Sequence, residues 1–292
     1  MKLWIVRTGL LLTVAVTLAT GHRGIAMNVG RLMAEFRAFG FSPFLLTPLQ
    51  VGPGNRMVIS TIAGGGFSVG SPVTAAPIAQ PTGVVLDPKG RGYYILDERD
   101  GSGMIRFVNT STSVQTIARV NIEPGTINLV AGGGTGSESL PAREVDLGQI
   151  TGLAVDPTGD AIYILTPLTA SIRVLNVGAE NFSLPRRVIP PGRIATIFTG
   201  TGAEARSLAV SPERRVFYTA IASGQFSRLV CAVDLRSDSP TEIIYAGNSN
   251  TMTSLGDEGP ATEARIINPL GVATDRDGNL YIAEAGDSRT NP

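Results

Sequence analysis

Short bursts of apolar and β-branched residues, broken by polar turns, run through most of this chain, and four of them share one design. In PLGVATDRDGNLYIAEAGDSR, from Pro269 to Arg289, Val272 to Thr274 and Leu280 to Ala283 are joined by Asp275-Arg276-Asp277-Gly278-Asn279. Strand-forming residues on either side of a glycine-containing turn predict a β-hairpin. PTGVVLDPKGRGYYIL from Pro81, ITGLAVDPTGDAIYIL from Ile150 and ARSLAVSPERRVFYTA from Ala205 repeat that pattern. A second kind of strand precedes a glycine-rich turn: Met57 to Ala63 before Gly64-Gly65-Gly66, and Ile127 to Ala131 before Gly132-Gly133-Gly134. Ile194 to Phe198 before Thr199-Gly200-Thr201-Gly202, and Ile243 to Ala246 before Gly247, are looser copies. No Lys-Ser/Thr pair or helix start follows these glycines, so they read as turns rather than a phosphate cradle.

The copies are regularly spaced. Gly83 and Gly152, which open two hairpins, lie 69 positions apart, and the steps through Ser207 to Gly271 are 55 and 64. Such spacing, with about four strands per unit, predicts repeated small sheets rather than one continuous sandwich. Ile105 to Asn109 matches Ile172 to Asn176, and Pro124-Gly125 matches Pro191-Gly192, each at an offset of 67. The residues between these marks predict an added loop or β-ribbon on the outer side of the unit. The third unit has a shorter version, Arg228 to Val233 and then Ser239-Pro240. Asp87, Asp156 and Asp275 precede their turns and are expected to accept hydrogen bonds from turn amides, rather than to bind calcium or catalyse. Ser211 stands at that position in the third unit and can close the turn in the same way.

These residues resemble the NHL-repeat β-propellers, in particular the long-repeat proteins of exported bacterial type. The likeness rests on the hairpin from Pro269 and on Gly256-Asp257-Glu258-Gly259-Pro260-Ala261-Thr262, similar to the linker such proteins place between blades. It covers Ile59 to Arg289 and is weakest in the third unit. It implies an all-β fold, a partial NHL-type β-propeller of about three and a half to four blades, where the family usually closes with six. The expected organisation is a signal peptide or anchor over 1–26, a leader or linker over 27–56, and propeller units over about 57–135, 136–202, 203–247 and 248–292. The last unit is expected to leave an open sheet edge that favours self-association. A truncated reading frame, half of an assembly, or closure of a small ring by Met57 to Ala63 are the readings of that edge.

The N-terminus carries a different signal. Lys2 and Arg7 precede the run TGLLLTVAVTLAT, Thr8 to Thr20, which has the length of a signal-peptide core and falls short of the ~20 residues a membrane-spanning helix needs. It predicts a signal-like helix and a secreted, periplasmic or cell-surface protein, with an uncleaved membrane anchor as the alternative. Val29 to Phe39 suits a short amphipathic helix, and Pro43, Pro48 and Pro53 follow it.

Composition narrows the chemistry. The 292 residues include 24 Lys+Arg against 24 Asp+Glu, so no net field draws the chain to nucleic acid, and no nucleic-acid partner is expected. The 35 Gly and 19 Pro fit many tight turns. Cys231, the only cysteine, lies in the apolar run LVCAVDL and reads as a small core residue. His22 is the only histidine, which leaves residues 27–292 without material for a Ser-His-Asp triad or a His-ligated metal.

The reading this favours is a non-enzymatic binding or scaffold module for a protein or carbohydrate ligand. Variable segments Asp97 to Gly103, Pro167 to Ser171 and Ala222 to Phe226 are expected at one rim. Arg106 and Arg173 recur at one position, as ligand contacts or as a repeated structural contact. The alternative is a propeller hydrolase or lyase with a divalent metal. Its candidate acids are Asp97, Glu98, Asp100, Glu284 and Asp287, just after the second strands, with calcium as the one cofactor that reading would bring. A third reading makes the blades the sensor or adhesion part of a larger surface protein.

Overall fold

The computed structural model describes residues 4–8 and 11–15, isolated residues 63, 74 and 76, and 78–285 except 168–169, 201–203, 222–227 and 248–257. The expected strand Met57 to Ala63 (save Ala63), the 27–56 linker, the rim segment Ala222 to Phe226 and Asp287 lie outside the described residues. Two units divide the chain, Met1–Glu35 and Phe36–Pro292.

In the first unit, β1 (Trp4–Thr8) pairs antiparallel with β2 (Leu11–Ala15), from Trp4 opposite Ala15 to Thr8 opposite Leu11. This corrects the expected signal-like helix. Ile5, Val6, Thr8, Thr13 and Val14 are β-branched, and that stiffness favours a pleated pair over a helix. No helix among the described residues is long and apolar enough to cross a membrane.

The second unit is built from antiparallel meanders. The first sheet takes β3 (Pro81–Leu86), β4 (Gly92–Arg99) and β5 (Ser102–Asn109), then a two-stranded ribbon of β6 (Gln115–Ile117) and β7 (Val120–Ile122), and closes with β8 (Ile127–Gly132) in the order 3-4-5-8. The second repeats this with β9 (Gly152–Val155), β10 (Ala161–Leu165), β11 (Ile172–Asn176), the ribbon β12 (Phe182–Leu184) and β13 (Arg187–Ile189), and β14 (Ile194–Phe198). The third has β15 (Glu204–Val210), β16 (Arg215–Ile221), β17 (Arg228–Asp234) and β18 (Glu242–Ala246), with no ribbon among its described residues. A fourth sheet is the hairpin of β19 (Pro269–Thr274) and β20 (Leu280–Glu284). The four hairpins and both outer ribbons read from the repeat are thus present.

Packing follows from the strand pattern. Alternate side chains of each sheet face opposite neighbours, and both faces of the middle strands are buried. Tyr94, Leu96, Ile105 and Phe107 of the first sheet meet Ile162, Ile164 and Leu175 of the second. The second sheet's other face, with Tyr163, Leu165 and Val174, meets Leu208, Tyr218 and Cys231 of the third. Phe217, Val230 and Ala232 then pack on Val272 and Ile282 of the hairpin. Each large side chain so buried contributes about 1.5–3 kcal/mol of transfer free energy. The first strands β3, β9, β15 and β19 touch in succession, so the sheets stack face to face with the same strand innermost each time. Some large apolar side chains stay exposed: Val84 of β3 is 52% exposed beside the buried Tyr93, Ile95, Val108 and Ile127, and Ile243 and Ile244 of the edge strand β18 and Tyr281 of β20 are 53%, 53% and 46% exposed.

Candidate functional site

The turn carboxylates are bound into the frame. Asp87 Oδ2 accepts from the Arg91 amide at 3.0 Å and from its Nε at 2.8 Å, and Arg91 Nη2 also donates to the Gly159 carbonyl of the second sheet at 3.0 Å. Asp156 accepts from the Thr158 amide at 3.0 Å, its Oγ1 at 2.6 Å, the Tyr163 hydroxyl at 3.2 Å and Arg214 Nε of the third sheet at 3.1 Å. Asp275 accepts from the amides of Asp277 and Asn279 at 3.0 and 2.8 Å and from the Tyr281 hydroxyl at 3.0 Å. The Asn279 side chain, foremost among these donors, holds the Asp275 carboxyl below its ordinary value. Ser211 substitutes as the turn pattern predicts, its Oγ accepting from the Arg215 amide at 3.2 Å. The turn has one further change: Gly90, Gly159 and Gly278 have φ of 71°, 74° and 84°, and Arg214 takes the same left-handed position at 60°.

The sequence-predicted acids among the described residues have different surroundings. Asp97 of β4, opposite the first residue of β3, is fully buried, accepts from the amides of Ala79 and Gln80 at 3.0 and 2.8 Å, and pairs with Arg106 Nε at 3.1 Å. Glu284 of β20 stands at the equivalent position, opposite Pro269, and does the same work, accepting from the Ile267 amide at 2.8 Å. In both hairpins a carboxylate opposite the start of the first strand catches an amide two residues before that strand. Glu98 is half-buried, and Asp100 is exposed with φ 53°. Among the described residues, no three His, Cys, Asp or Glu side chains gather as a metal site.

Arg106 and Arg173 sit where the pairing of third and fourth strands shifts register, and the same shift recurs at Cys231. Arg106 is 7% exposed, and its Nε faces Asp97 by charge attraction without the alignment of a hydrogen bond. Arg173 reaches instead to Glu138 at 3.3 Å and to the carbonyls of Asp146 and Leu147 at 3.4 and 3.3 Å. Glu138 also accepts from the Thr196 amide and hydroxyl at 2.9 and 2.6 Å, which pins the segment between the first two sheets. Gly134 belongs to that segment: a Cβ there would stand 2.1 Å from the Glu144 carbonyl oxygen, so the glycine run serves close packing.

Two groups of residues escaped sequence reasoning. Asn109 and Asn176, both fully buried, hold the ribbons: Asn109 Nδ2 donates to the carbonyls of Ser113 and Ile122 at 2.8 Å each, and Asn176 Nδ2 to those of Glu180 and Ile189 at 2.8 and 2.6 Å. Each ribbon then reaches the following sheet, where the Ala118 amide donates to the Val177 carbonyl at 3.2 Å and Arg214 lies 4.8 Å over the Phe182 ring. The recurrence of Asn at the offset of 67 was the available signal. The second group is a pair of short 3-10 turns, Ala142–Glu144 and Ala261–Glu263, each entered through a proline in extended conformation. Pro141-Ala142-Arg143-Glu144 against Pro260-Ala261-Thr262-Glu263 was their signature.

Antiparallel four-stranded meanders, stacked face to face with their first strands adjacent, define β-propeller blades. No family model matches the chain. It is 25% identical over 232 residues to teneurin-3 of Mus musculus, covering 75% of this chain and 8% of the mouse protein. The chain therefore spans less than a tenth of that relative. Among solved structures, a chain of the nidogen/laminin complex matches with a TM-score of 0.45 and 16% identity, over 73% of this chain and 60% of that one. Hydrazine synthase of Kuenenia stuttgartiensis matches with a TM-score of 0.33 and 16% identity, over 74% and 77%. Likenesses this distant add nothing to the blade assignment, which stands on sheet order and shared core.

Proposed function

We propose that this chain is an exported NHL-type propeller module that binds a protein or carbohydrate ligand without catalysing a reaction. The observation that carries this reading is that the recurring carboxylates and arginines are engaged in the frame. Asp87, Asp97, Asp156, Glu284, Arg106 and Arg173 each hold a backbone group or an opposite charge, which leaves contact rather than chemistry to the blade-end loops. Glu98 and Asp100 are the candidates for ligand contact in the first blade, with Asp287 proposed beside them. The apolar run after Lys2 supports export, and the exposed apolar side chains of Val84, Ile243, Ile244 and Tyr281 support self-association or the addition of further blades. Similarity to a small part of a much longer relative favours blades that form one part of a larger surface protein.

Two measurements test this. Fusing residues 1–56 to a phosphatase active only outside the cytoplasm should give activity, and a silent fusion would overturn export. The full chain should bind a defined partner from a panel of extracellular proteins and glycans, with Glu98→Ala and Asp100→Ala weakening the complex. Millimolar calcium should leave its Tm unchanged, whereas a rise, together with turnover of a lactone or ester substrate, would replace this reading with the metal-dependent enzyme.

A further inference from the structure

Between the first ribbon and the second blade, Arg119, Arg143 and Arg193 come from three separate stretches of chain to line a cleft of about 100 Å³, whose walls include Val120, Pro141 and Pro191. The cleft is built on fixed backbone: the Ala142 amide donates to the Gly192 carbonyl at 3.0 Å, and Arg193 Nη1 to the Ser139 carbonyl at 2.7 Å. No carboxylate lines it. Arg91, Arg106, Arg173, Arg214 and Arg236 each face an Asp or Glu, but the exposed Arg119 and Arg143 have no side-chain hydrogen bond or ion pair among the described residues.

The ribbon's turn holds this arrangement at a cost. Ala118 and Arg119 have φ of 50° and 66°, both left-handed, where a two-residue hairpin turn ordinarily has Asn-Gly. Each costs about 1–2 kcal/mol relative to a right-handed residue. Gly192 lies directly beneath, since a Cβ there would stand 2.8 Å from the Ala118 carbonyl oxygen. The matching turn of the second ribbon is Pro185-Arg186, and proline cannot take positive φ, so the first ribbon alone presents its arginine this way.

Guanidinium groups over aliphatic walls suit a carboxylate on a short apolar stem. The chain's zero net charge supplies no long-range attraction for a polyanion. We propose that the cleft takes an Asp or Glu side chain from an acidic segment of a polypeptide partner, which rests on the binding-module reading above.

Fluorescence anisotropy with the full chain and a labelled peptide of alternating Glu and Ser tests this directly. Saturable binding is expected, with none for the Gln-for-Glu peptide. Arg119→Ala and Arg143→Ala should each weaken it about tenfold, the low end for a charge-assisted hydrogen bond, and Arg186→Ala should leave it unchanged. Arg119→Gly suits the left-handed turn and keeps the fold, so it should weaken binding by the same factor at an unchanged or higher Tm. Equal binding of the Glu and Gln peptides, full binding by both arginine variants, or preference of the cleft for a sulfated oligosaccharide would overturn the assignment. A protein partner retained in full by the Arg119→Ala/Arg143→Ala chain would overturn the cleft and leave the binding-module reading standing.

Discussion

Replacing Asp97 with Ala should destabilise the chain by about 3–5 kcal/mol, the cost of breaking a buried ion pair from one side. The carboxylate is fully buried and has two kinds of partner. The amides of Ala79 and Gln80 belong to exposed residues and can turn to water once the acceptor is gone, so each loses about 1 kcal/mol or less. Arg106 cannot turn to water: it is 7% exposed and would be left with an uncompensated charge in the blade. The arginine therefore dominates the loss. Asp97→Ala/Arg106→Leu should recover most of it, because removing both charges restores an apolar interior. Urea unfolding followed by circular dichroism measures all three chains. Glu284→Ala, whose side chain is exposed, should cost well under 1 kcal/mol and serves as the internal contrast. If Asp97→Ala and the double variant share one midpoint, the buried pair does not hold the blade. If Asp97→Ala keeps wild-type stability and loses ligand, Asp97 belongs to a binding rim.

The remaining predictions concern the ribbons, the turns and the two sulfur- and charge-bearing positions of the third blade. Asn176→Ala removes two donated bonds and the one accepted from the Gly178 amide at 2.9 Å, and should cost about 2–4 kcal/mol in urea unfolding and open β12–β13 to proteolysis; an unchanged midpoint would refute the clasp. Arg214→Gly relieves a left-handed residue but strips a charged partner from buried Asp156, and the second effect should win by about 1–2 kcal/mol; a higher Tm would show that pair to be idle. Asp234 is held down to about 2, chiefly by the Arg236 side chain. A carboxyl lowered in the folded state stabilises above its unfolded pKa and loses that contribution as pH falls through its folded one. The stability difference between wild type and Asp234→Asn, a few tenths of a kcal/mol at this exposure, should therefore vanish between about pH 4 and pH 2; a difference independent of pH would contradict it. Cys231, 3% exposed and with its thiol pushed up to about 12 by burial, should resist iodoacetamide at neutral pH until urea unfolds the chain; rapid labelling of the native protein would refute its core placement.

Features legible in the sequence were those whose cause is local. Hairpins, ribbons and the Asp at each turn depend on residues within about four positions of one another, and the repeat displayed them several times over. Burial and partners from distant chain were not legible. Asp97 and Glu284 looked like rim acids because their charge is visible in a sequence, while the amides they catch lie 18 and 17 positions earlier. Comparing the blades with one another supplies the missing step. Aligned on the buried tyrosines Tyr94, Tyr163 and Tyr218, Asp97 corresponds to Thr166 and Ile221, and Arg106 to Arg173 and Val230. Where the acid is present, the arginine pairs with it inside its own blade. Where Thr166 replaces it, the arginine turns to Glu138 in the segment joining the blades. Where Ile221 replaces it, the arginine is gone as well, and the fully buried Val230 fills the site. A buried charge persists in this fold only where a partner stands within reach, so the identity at the end of the second strand decides what the third strand can carry.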